Sequence, residues 1–475
     1  MREFRWTEVE VLQALGLERG EGGEEVREFA RVSTDTRALA PGDLFVALQG
    51  ERFDAHEFLD QAAAGGALGA LVARIPDQAP EQLRYFVVAD TLVGLGALAH
   101  YRRRTLRGRV VGVAGSNGKT TTKDLVRAAL APLFSVHATQ GNLNNRIGLP
   151  LTLLATPDDA EIIILEMGTN EPGEIRTLTE IAEPEAAIIT SIGEEHLEKL
   201  GSLEGVLREE TELLAALPSH GIGFVAAEPP SLPARARELL PTERLWVAGT
   251  TSGADLRPDG GAEAIEFLPD GTTRWSWAGV ELHLPLPGRH NVSNALLALG
   301  LAGQWSVPPE QAARGIEAMP VPKLRGEWKQ IGGLRVLADC YNANPPSVVA
   351  ATDLLASLPA EGSKLAVLGT MREMGTGSAA LHRRVAEQVG ARVGDGIDRV
   401  VATGDFVEAF VPLAAELGER LIICADPVAA YAEVAETLRG DETILLKASR
   451  GEALERWLPL LERDWTATPS ARENR

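Results

Sequence analysis

Val110-Val111-Gly112-Val113-Ala114-Gly115-Ser116-Asn117-Gly118-Lys119-Thr120-Thr121 reads as a short apolar strand running into a glycine-bearing loop, and residues 124–130 continue as a helix. The order strand, loop, helix suits a phosphate grip. Glycines let successive backbone N–H groups turn inward around phosphate oxygens, and the helix N-terminus adds its positive end. In such a loop Lys119 neutralises the outer phosphates and the Thr120 hydroxyl can ligate Mg²⁺. The strict form of the motif needs glycine where Val113 stands, so a chance Gly-Lys-Thr on a turn is the competing reading. Composition weighs against chance, because only seven of the 46 basic residues are lysine.

Outward from the loop, Glu161-Ile162-Ile163-Ile164-Leu165 is a second apolar strand, ending in Glu166-Met167-Gly168. A carboxylate at the carboxyl end of a neighbouring strand is where the partner of a magnesium-bound triphosphate belongs. Residues 186–190 form a third strand, which runs into Ser191-Ile192-Gly193-Glu194-Glu195-His196 and makes His196 a further candidate. Lys119, Glu166 and His196 are the expected catalytic residues.

Strands alternating with helices imply an α/β fold with largely parallel sheets. At 475 residues the chain is too long for one core, and about three domains are expected. The basic run Arg102-Arg103-Arg104 reads as a solvated join, and Pro320-Val321-Pro322 as a second join, giving units 1–107, 108–320 and 321–475. Within the first, residues 43–48 and 85–88 read as strands and 58–64 as a helix. Arg274-Trp275-Ser276-Trp277 after the Pro269-Asp270-Gly271 turn suggests an antiparallel appendage. Apolar strands near residues 336, 364, 399, 421 and 443 make the last third another doubly wound domain.

The formal charge of −21, from 67 acidic and 46 basic residues, opposes binding to nucleic acid or an anionic membrane. Neither a signal-like start nor an apolar run of the roughly 20 residues that span a bilayer is present in the sequence. Cys340 and Cys424 read as buried free thiols, which suits a reducing cytoplasm. The tail after Trp465 reads as frayed.

Five segments then occur in a telling order: Asn142-Leu143-Asn144-Asn145-Arg146-Ile147-Gly148-Leu149-Pro150, Glu166-Met167-Gly168-Thr169-Asn170, Pro287-Gly288-Arg289-His290-Asn291-Val292-Ser293-Asn294, Asp339-Cys340-Tyr341-Asn342-Ala343-Asn344-Pro345 and Lys447-Ala448-Ser449-Arg450-Gly451. Together with the phosphate loop they resemble the Mur ligase family, whose loop has the Gly-x-x-Gly-Lys-Thr form seen here. The resemblance spans nearly the whole chain.

It implies a small α/β uridine-nucleotide-binding domain, a central P-loop parallel-sheet ATPase domain and a C-terminal Rossmann-like domain. The implied substrates are UDP-N-acetylmuramoyl-tripeptide, D-alanyl-D-alanine and ATP, with two Mg²⁺ ions, in a cytoplasmic monomer. ATP would be held by Gly115, Ser116, Asn117, Gly118, Lys119, Thr120 and Thr121, with Asn291 and Asn294 near the adenine and Arg325 and Asp339 brought in by the last domain. Thr34, Asp35 and Arg37 would touch the uridine-linked substrate, in a domain where Ala55 replaces the family's usual glycine. Asn144, Asn145, Tyr341, Asn342 and Asn344 complete the expected substrate contacts.

Two departures stand out. Most relatives carry a carbamylated lysine fourteen residues after the histidine, and here that position is Glu210. Glu210 is expected to supply the negative charge permanently, acting on metal through water, beside Thr120, Glu166 and His196. The alternative is that Glu210 is an exposed helix residue and the second metal is held otherwise. Thr370 stands where relatives have Asp, which leaves the contacts of residues 369–375 open. A phosphate-loop kinase or switch ATPase is the rival from another class. It would need neither a uridine-nucleotide domain nor an amine substrate.

Overall fold

The computed structural model describes residues 4–18, 27–50 and 53–466. Three parallel-stranded sheets follow one another along the chain. The first has the order Val32–Ser33, Leu44–Val46, Gly69–Val72, Arg84–Val87, each pair parallel. The helix Thr91–Thr105 leads from it to the central unit, capped at its start by Asp90, whose side chain accepts from the Leu92 and Val93 nitrogens.

The central sheet has six parallel strands in the order Val136–Ala138, Ile162–Glu166, Arg109–Ala114, Ala186–Ile189, Ile222–Ala226, Leu245–Ala248. Its strands are almost entirely buried because helices cover both faces, which is why they read as unbroken apolar runs. One face packs on the phosphate-loop helix Lys119–Leu130 and the helices His290–Gln304 and Pro309–Glu317. The other packs on Glu174–Ala182, Leu203–Glu210 and Ser231–Leu239. The strand Arg109–Ala114 lies between Ile162–Glu166 and Ala186–Ile189. The chain therefore crosses to opposite sides of it, and a crevice opens at the carboxyl ends of these three strands. Register sets Glu166 beside Val113 and Ile189 beside Ala114, so all three strands end at the phosphate loop.

The appendage is a three-stranded antiparallel sheet, Glu266–Phe267, Thr273–Trp277 and Val280–Leu284, and Trp275, Leu282 and Leu284 join it to the core around His290–Gln304. The last sheet has the order Glu327–Ile331, Leu334–Asp339, Thr443–Lys447, Lys364–Leu368, Arg399–Ala402, Leu421–Ile423. Its edge strand Glu327–Ile331 is antiparallel to its neighbour and the rest are parallel.

Two local expectations change. The run Arg102-Arg103-Arg104 ends a helix, and Arg102 is fully buried. Its guanidinium lies 4.1 Å from the Phe4 ring centre and donates to the Thr156 carbonyl and Asp158, both at 2.6 Å. A cation can be buried there because it is paired and hydrogen-bonded. Cys340 is a buried free thiol as expected, while Cys424 is half-buried. The tail beyond Thr466 lies outside the described residues.

Candidate active site

The phosphate loop requires glycine at two positions. Gly115 has φ +118°, and a Cβ there would lie 2.5 Å from Thr190 Oγ1 and 2.8 Å from the Thr190 nitrogen. Gly118 has φ +84°, and its Cβ would meet Asn294 Oδ1 at 2.9 Å. Left-handed backbone and close neighbours both exclude side chains. The loop is fastened to the next strand end: Ser116 N donates to the Ser191 carbonyl at 2.9 Å and Asn117 N to Ser191 Oγ at 2.8 Å. Ser116 Oγ accepts from Gly193 N at 2.8 Å. From below, Glu210 Oε2 accepts from Gly115 N at 2.7 Å.

Lys119 opens the helix, and its ammonium turns back to the Gly115 carbonyl and lies 3.9 Å from Glu195 Oε2. Burial lowers its pKa, but Glu195, Glu210 and Glu166 together outweigh burial and raise it, so Lys119 stays charged. These three glutamates are buried, and among the described residues each has one carboxylate oxygen without a hydrogen-bond partner: Glu166 Oε2, Glu195 Oε1 and Glu210 Oε1. Glu210 is fully buried rather than an exposed helix residue. Burial first, and then Glu195, hold its carboxyl well above the usual carboxylate range, while Lys119 opposes them. Sequence reasoning missed Glu195. It adjoins His196 in the same motif, but nothing in the sequence shows that its side chain turns toward Lys119.

Glu166 is oriented by Asn144, whose Nδ2 donates to Oε1 at 2.9 Å. Asn145 instead orders the turn that leads into the helix Gly148–Leu154, its Oδ1 accepting from Ile147 N and Gly148 N. Asn294 backs the loop at Gly118 and donates to Asn291 Oδ1 at 3.0 Å, while Asn291 donates to the Pro287 carbonyl. Thr120 and Thr121 lie in the first helical turn, part-exposed.

The last domain reaches this crevice. Asn344 Nδ2 donates to Asn117 Oδ1 on the phosphate loop at 2.9 Å, and Glu373 Oε2 is 2.8 Å from His196 Nδ1. Arg325 lies 4.0 Å from the Tyr341 ring centre, close enough to Lys119 to oppose its charge. Asp339 pairs with the buried Lys447 at 2.8 Å, and Lys447 also donates to the Asn342 carbonyl. The loop left open by Thr370 is ordered by other means: Thr370 Oγ1 accepts from Asp405 N, and buried His382 accepts from Met371 N. Thr34, Asp35 and Arg37 stand apart, on a turn of the first domain where Arg37 pairs with Asp35 at 2.8 Å.

Among the described residues no three His, Cys, Asp or Glu side chains converge as a metal cluster. A hydrated Mg²⁺ held by one or two carboxylates and by substrate phosphates needs no such cluster. The unpartnered Glu166 oxygen near Lys119 is the kind of donor it takes.

A P-loop sheet whose crevice is closed by a second, Rossmann-like domain defines a two-domain ATP-using ligase core. Residues 113–302 match the Mur ligase middle domain and residues 324–450 the Mur ligase glutamate ligase domain. The chain belongs to the Mur ligase family. It is 38% identical over 435 residues to the UDP-N-acetylmuramoyl-tripeptide–D-alanyl-D-alanine ligase of Bacillus subtilis, covering 89% of this chain and 91% of that protein. It is 36% identical to the enzyme of the same name from Escherichia coli, covering 92% and 94%. The crystal structure of MurF from Acinetobacter baumannii superposes with a TM-score of 0.86 at 29% identity, over 98% of this chain and all of that one. MurF from Thermotoga maritima in complex with ADP gives 0.79 at 26% identity, over 92% and 97%.

Proposed function

We infer that this chain is an ATP-dependent ligase that joins D-alanyl-D-alanine to UDP-N-acetylmuramoyl-tripeptide, releasing ADP and phosphate, in peptidoglycan precursor synthesis. The observation that carries this reading is the bond from Asn344 to Asn117, because it seats a second domain directly on the phosphate loop. A switch ATPase has no need of such a domain, whereas a ligase must bring an amine to an activated carboxylate.

The chemistry follows from what an amide bond requires. A carboxylate is a poor electrophile, so its oxygen first attacks the γ-phosphorus of ATP, forming an acyl phosphate and releasing ADP. The free amine of the dipeptide then attacks the acyl carbon, the C–O bond to phosphate breaks, and the amine loses a proton. With the N–H groups of Gly115, Ser116 and Asn117 engaged by Glu210 and Ser191, Lys119 and the start of the helix it opens would be the donors toward the transferring phosphoryl group. The three glutamates around Lys119 keep it charged in a buried place. Otherwise the protein's task is positioning.

Thr120 and Glu166 would hold one Mg²⁺ and His196 a second, with Glu210 acting through water; bound Mg²⁺ supplies neutralisation of phosphate charge. Gly115 to Thr121 with Asn291, Asn294, Arg325 and Asp339 would form the ATP site. Thr34, Asp35 and Arg37, with Asn144 and Asn145, would serve the uridine-linked tripeptide, and Tyr341, Asn342 and Asn344 the dipeptide. The division 1–107, 108–320 and 321–475 goes with these roles. A monomer acting in the cytoplasm, where ATP is found, goes with this reading. Among the described residues no helix is long and apolar enough to cross a membrane.

Phosphate release from ATP tests this reading. It is expected only when UDP-N-acetylmuramoyl-tripeptide and D-alanyl-D-alanine are both present. Equal release with neither would overturn it.

A further inference from the structure

His196 and Glu373 meet across the boundary between the central and last domains, with Nδ1 and Oε2 2.8 Å apart. Both residues have left-handed backbone, φ +48° at His196 and φ +65° at Glu373. Non-glycine residues adopt that conformation only where the surroundings hold them in it.

The surroundings here do so on both sides. Glu373 lies between the buried Met371 and Met374, and its neighbour Arg372 donates to Ser449 Oγ through its backbone nitrogen and to Glu452 through its guanidinium. The His196 side is gripped as well. Arg384 of the last domain pairs with Glu194, and Gly375, at φ +61°, lies so close to Glu198 that a Cβ there would sit 2.9 Å from its backbone. Two residues with left-handed backbone thus face each other, Glu373 on a loop tied down within the last domain and His196 in a segment that the last domain grips.

A carboxylate can only accept, so the Glu373 contact puts a ring proton on Nδ1. Nε2 is then the nitrogen that offers a lone pair in any cation-binding form of the ring. It lies 3.9 Å from Glu195 Oε2, which is itself 3.9 Å from the Lys119 ammonium. The free nitrogen is therefore on the phosphate-loop side of the ring.

We propose that Glu373 is a positioning residue for His196: docking of the last domain fixes the Nδ1–H tautomer and turns Nε2 toward the phosphates. This deepens the reading of His196 as metal-facing and rests on it. A carboxylate behind a ligating histidine orients the ring and strengthens it as a donor. Because the carboxylate comes from another domain, cation binding at Nε2 and domain docking favour each other reciprocally.

The test uses the full chain with ¹⁵N-labelled histidine and ADP, comparing wild type, Glu373→Ala and Glu373→Gln, with His196→Gln to assign the signal. The ring-nitrogen shifts report the tautomer, and Mn²⁺ titration reports cation affinity, neither depending on turnover. The Nδ1–H tautomer is expected in wild type. Glu373→Ala should lose it and bind Mn²⁺ about tenfold more weakly, while Glu373→Gln, which keeps an acceptor oxygen, should recover most of both. The Glu373 side chain is 64% exposed, so the variants should melt as wild type does. An Nε2–H tautomer in wild type, or unchanged tautomer and Mn²⁺ affinity in Glu373→Ala, would overturn the proposal. Absence of dipeptide-dependent ligation in wild type would instead sink the proposed function and leave the tautomer result standing.

Discussion

Glu210 Oε2 accepts the backbone N–H of Gly115 at 2.7 Å, so the first glycine of the phosphate loop rests on a fully buried carboxyl group. Glu210 therefore supports the loop from below, and its other oxygen has no hydrogen-bond partner among the described residues.

That arrangement has a pH signature. Burial lifts the Glu210 carboxyl from its ordinary 4.5 to about 8, with Glu195 adding to the rise. Between those values the folded chain holds a proton that the unfolded chain has released. The stability this contributes is full below the unfolded value and is lost as pH rises through the folded one. Thermal melts should fall across that window by on the order of 1 kcal/mol per pH unit at the steepest, and Glu210→Gln should flatten the fall. Gln keeps the acceptor for Gly115 but can never ionise, so above about pH 8, where Glu210 carries charge, ligation should also need several-fold more Mg²⁺. An unchanged Mg²⁺ dependence would leave Glu210 a support for the loop and nothing more.

Much of the central domain was legible because its rules are local. Unbroken apolar runs such as Ile162–Glu166 can be buried on both faces only in a parallel sheet, and Gly118 before Lys119 marks a turn that only glycine makes easily. Partnerships across the sequence were not legible. Arg102 reads as a solvated charge until Phe4, Thr156 and Asp158 surround it. Glu195 and Glu373 are ordinary surface-like residues until folding places one beside Lys119 and the other against His196. The antiparallel edge Glu327–Ile331 also went unseen, since its mostly polar, half-buried residues give no apolar run.

Gly118→Ala should separate backbone strain from loss of contacts. The new Cβ would sit 2.9 Å from Asn294 Oδ1 at φ +84°. A destabilisation of about 1–3 kcal/mol is expected, with ADP affinity in calorimetry reduced at least tenfold because the loop N–H groups are displaced. Gly115→Ala should be worse, since its Cβ meets backbone at Thr190 as well as a side chain. Equal ADP affinity in wild type and Gly118→Ala would show that the loop does not grip phosphate.

Arg102→Ala tests the buried cation. The change removes hydrogen bonds to Thr156 and Asp158 and the packing on Phe4, and it leaves the Thr156 carbonyl without that donor. About 2–4 kcal/mol of stability should be lost. Arg104→Ala, on the exposed side of the same helix, should change denaturant midpoints little. Similar effects from the two would restore the reading of this run as a solvated face.

Asn344 has two separable roles. Its Oδ1 accepts from Ser347 N as the cap of the helix Pro345–Ser357, while its Nδ2 donates to Asn117 on the phosphate loop. Asn344→Asp keeps the cap and turns a carboxylate oxygen toward the Asn117 amide oxygen, replacing attraction by repulsion. It should melt near wild type yet raise KM for D-alanyl-D-alanine and lower kcat, because the last domain can no longer seat on the loop. Asn344→Ala removes both roles and should also lose about 1 kcal/mol of stability. If Asn344→Asp turns over like wild type, the bond to Asn117 is incidental to ligation, and domain seating must rest on other contacts, such as the pairs Glu373–His196 and Arg384–Glu194 and the bond from Trp328 to the Asp270 carbonyl.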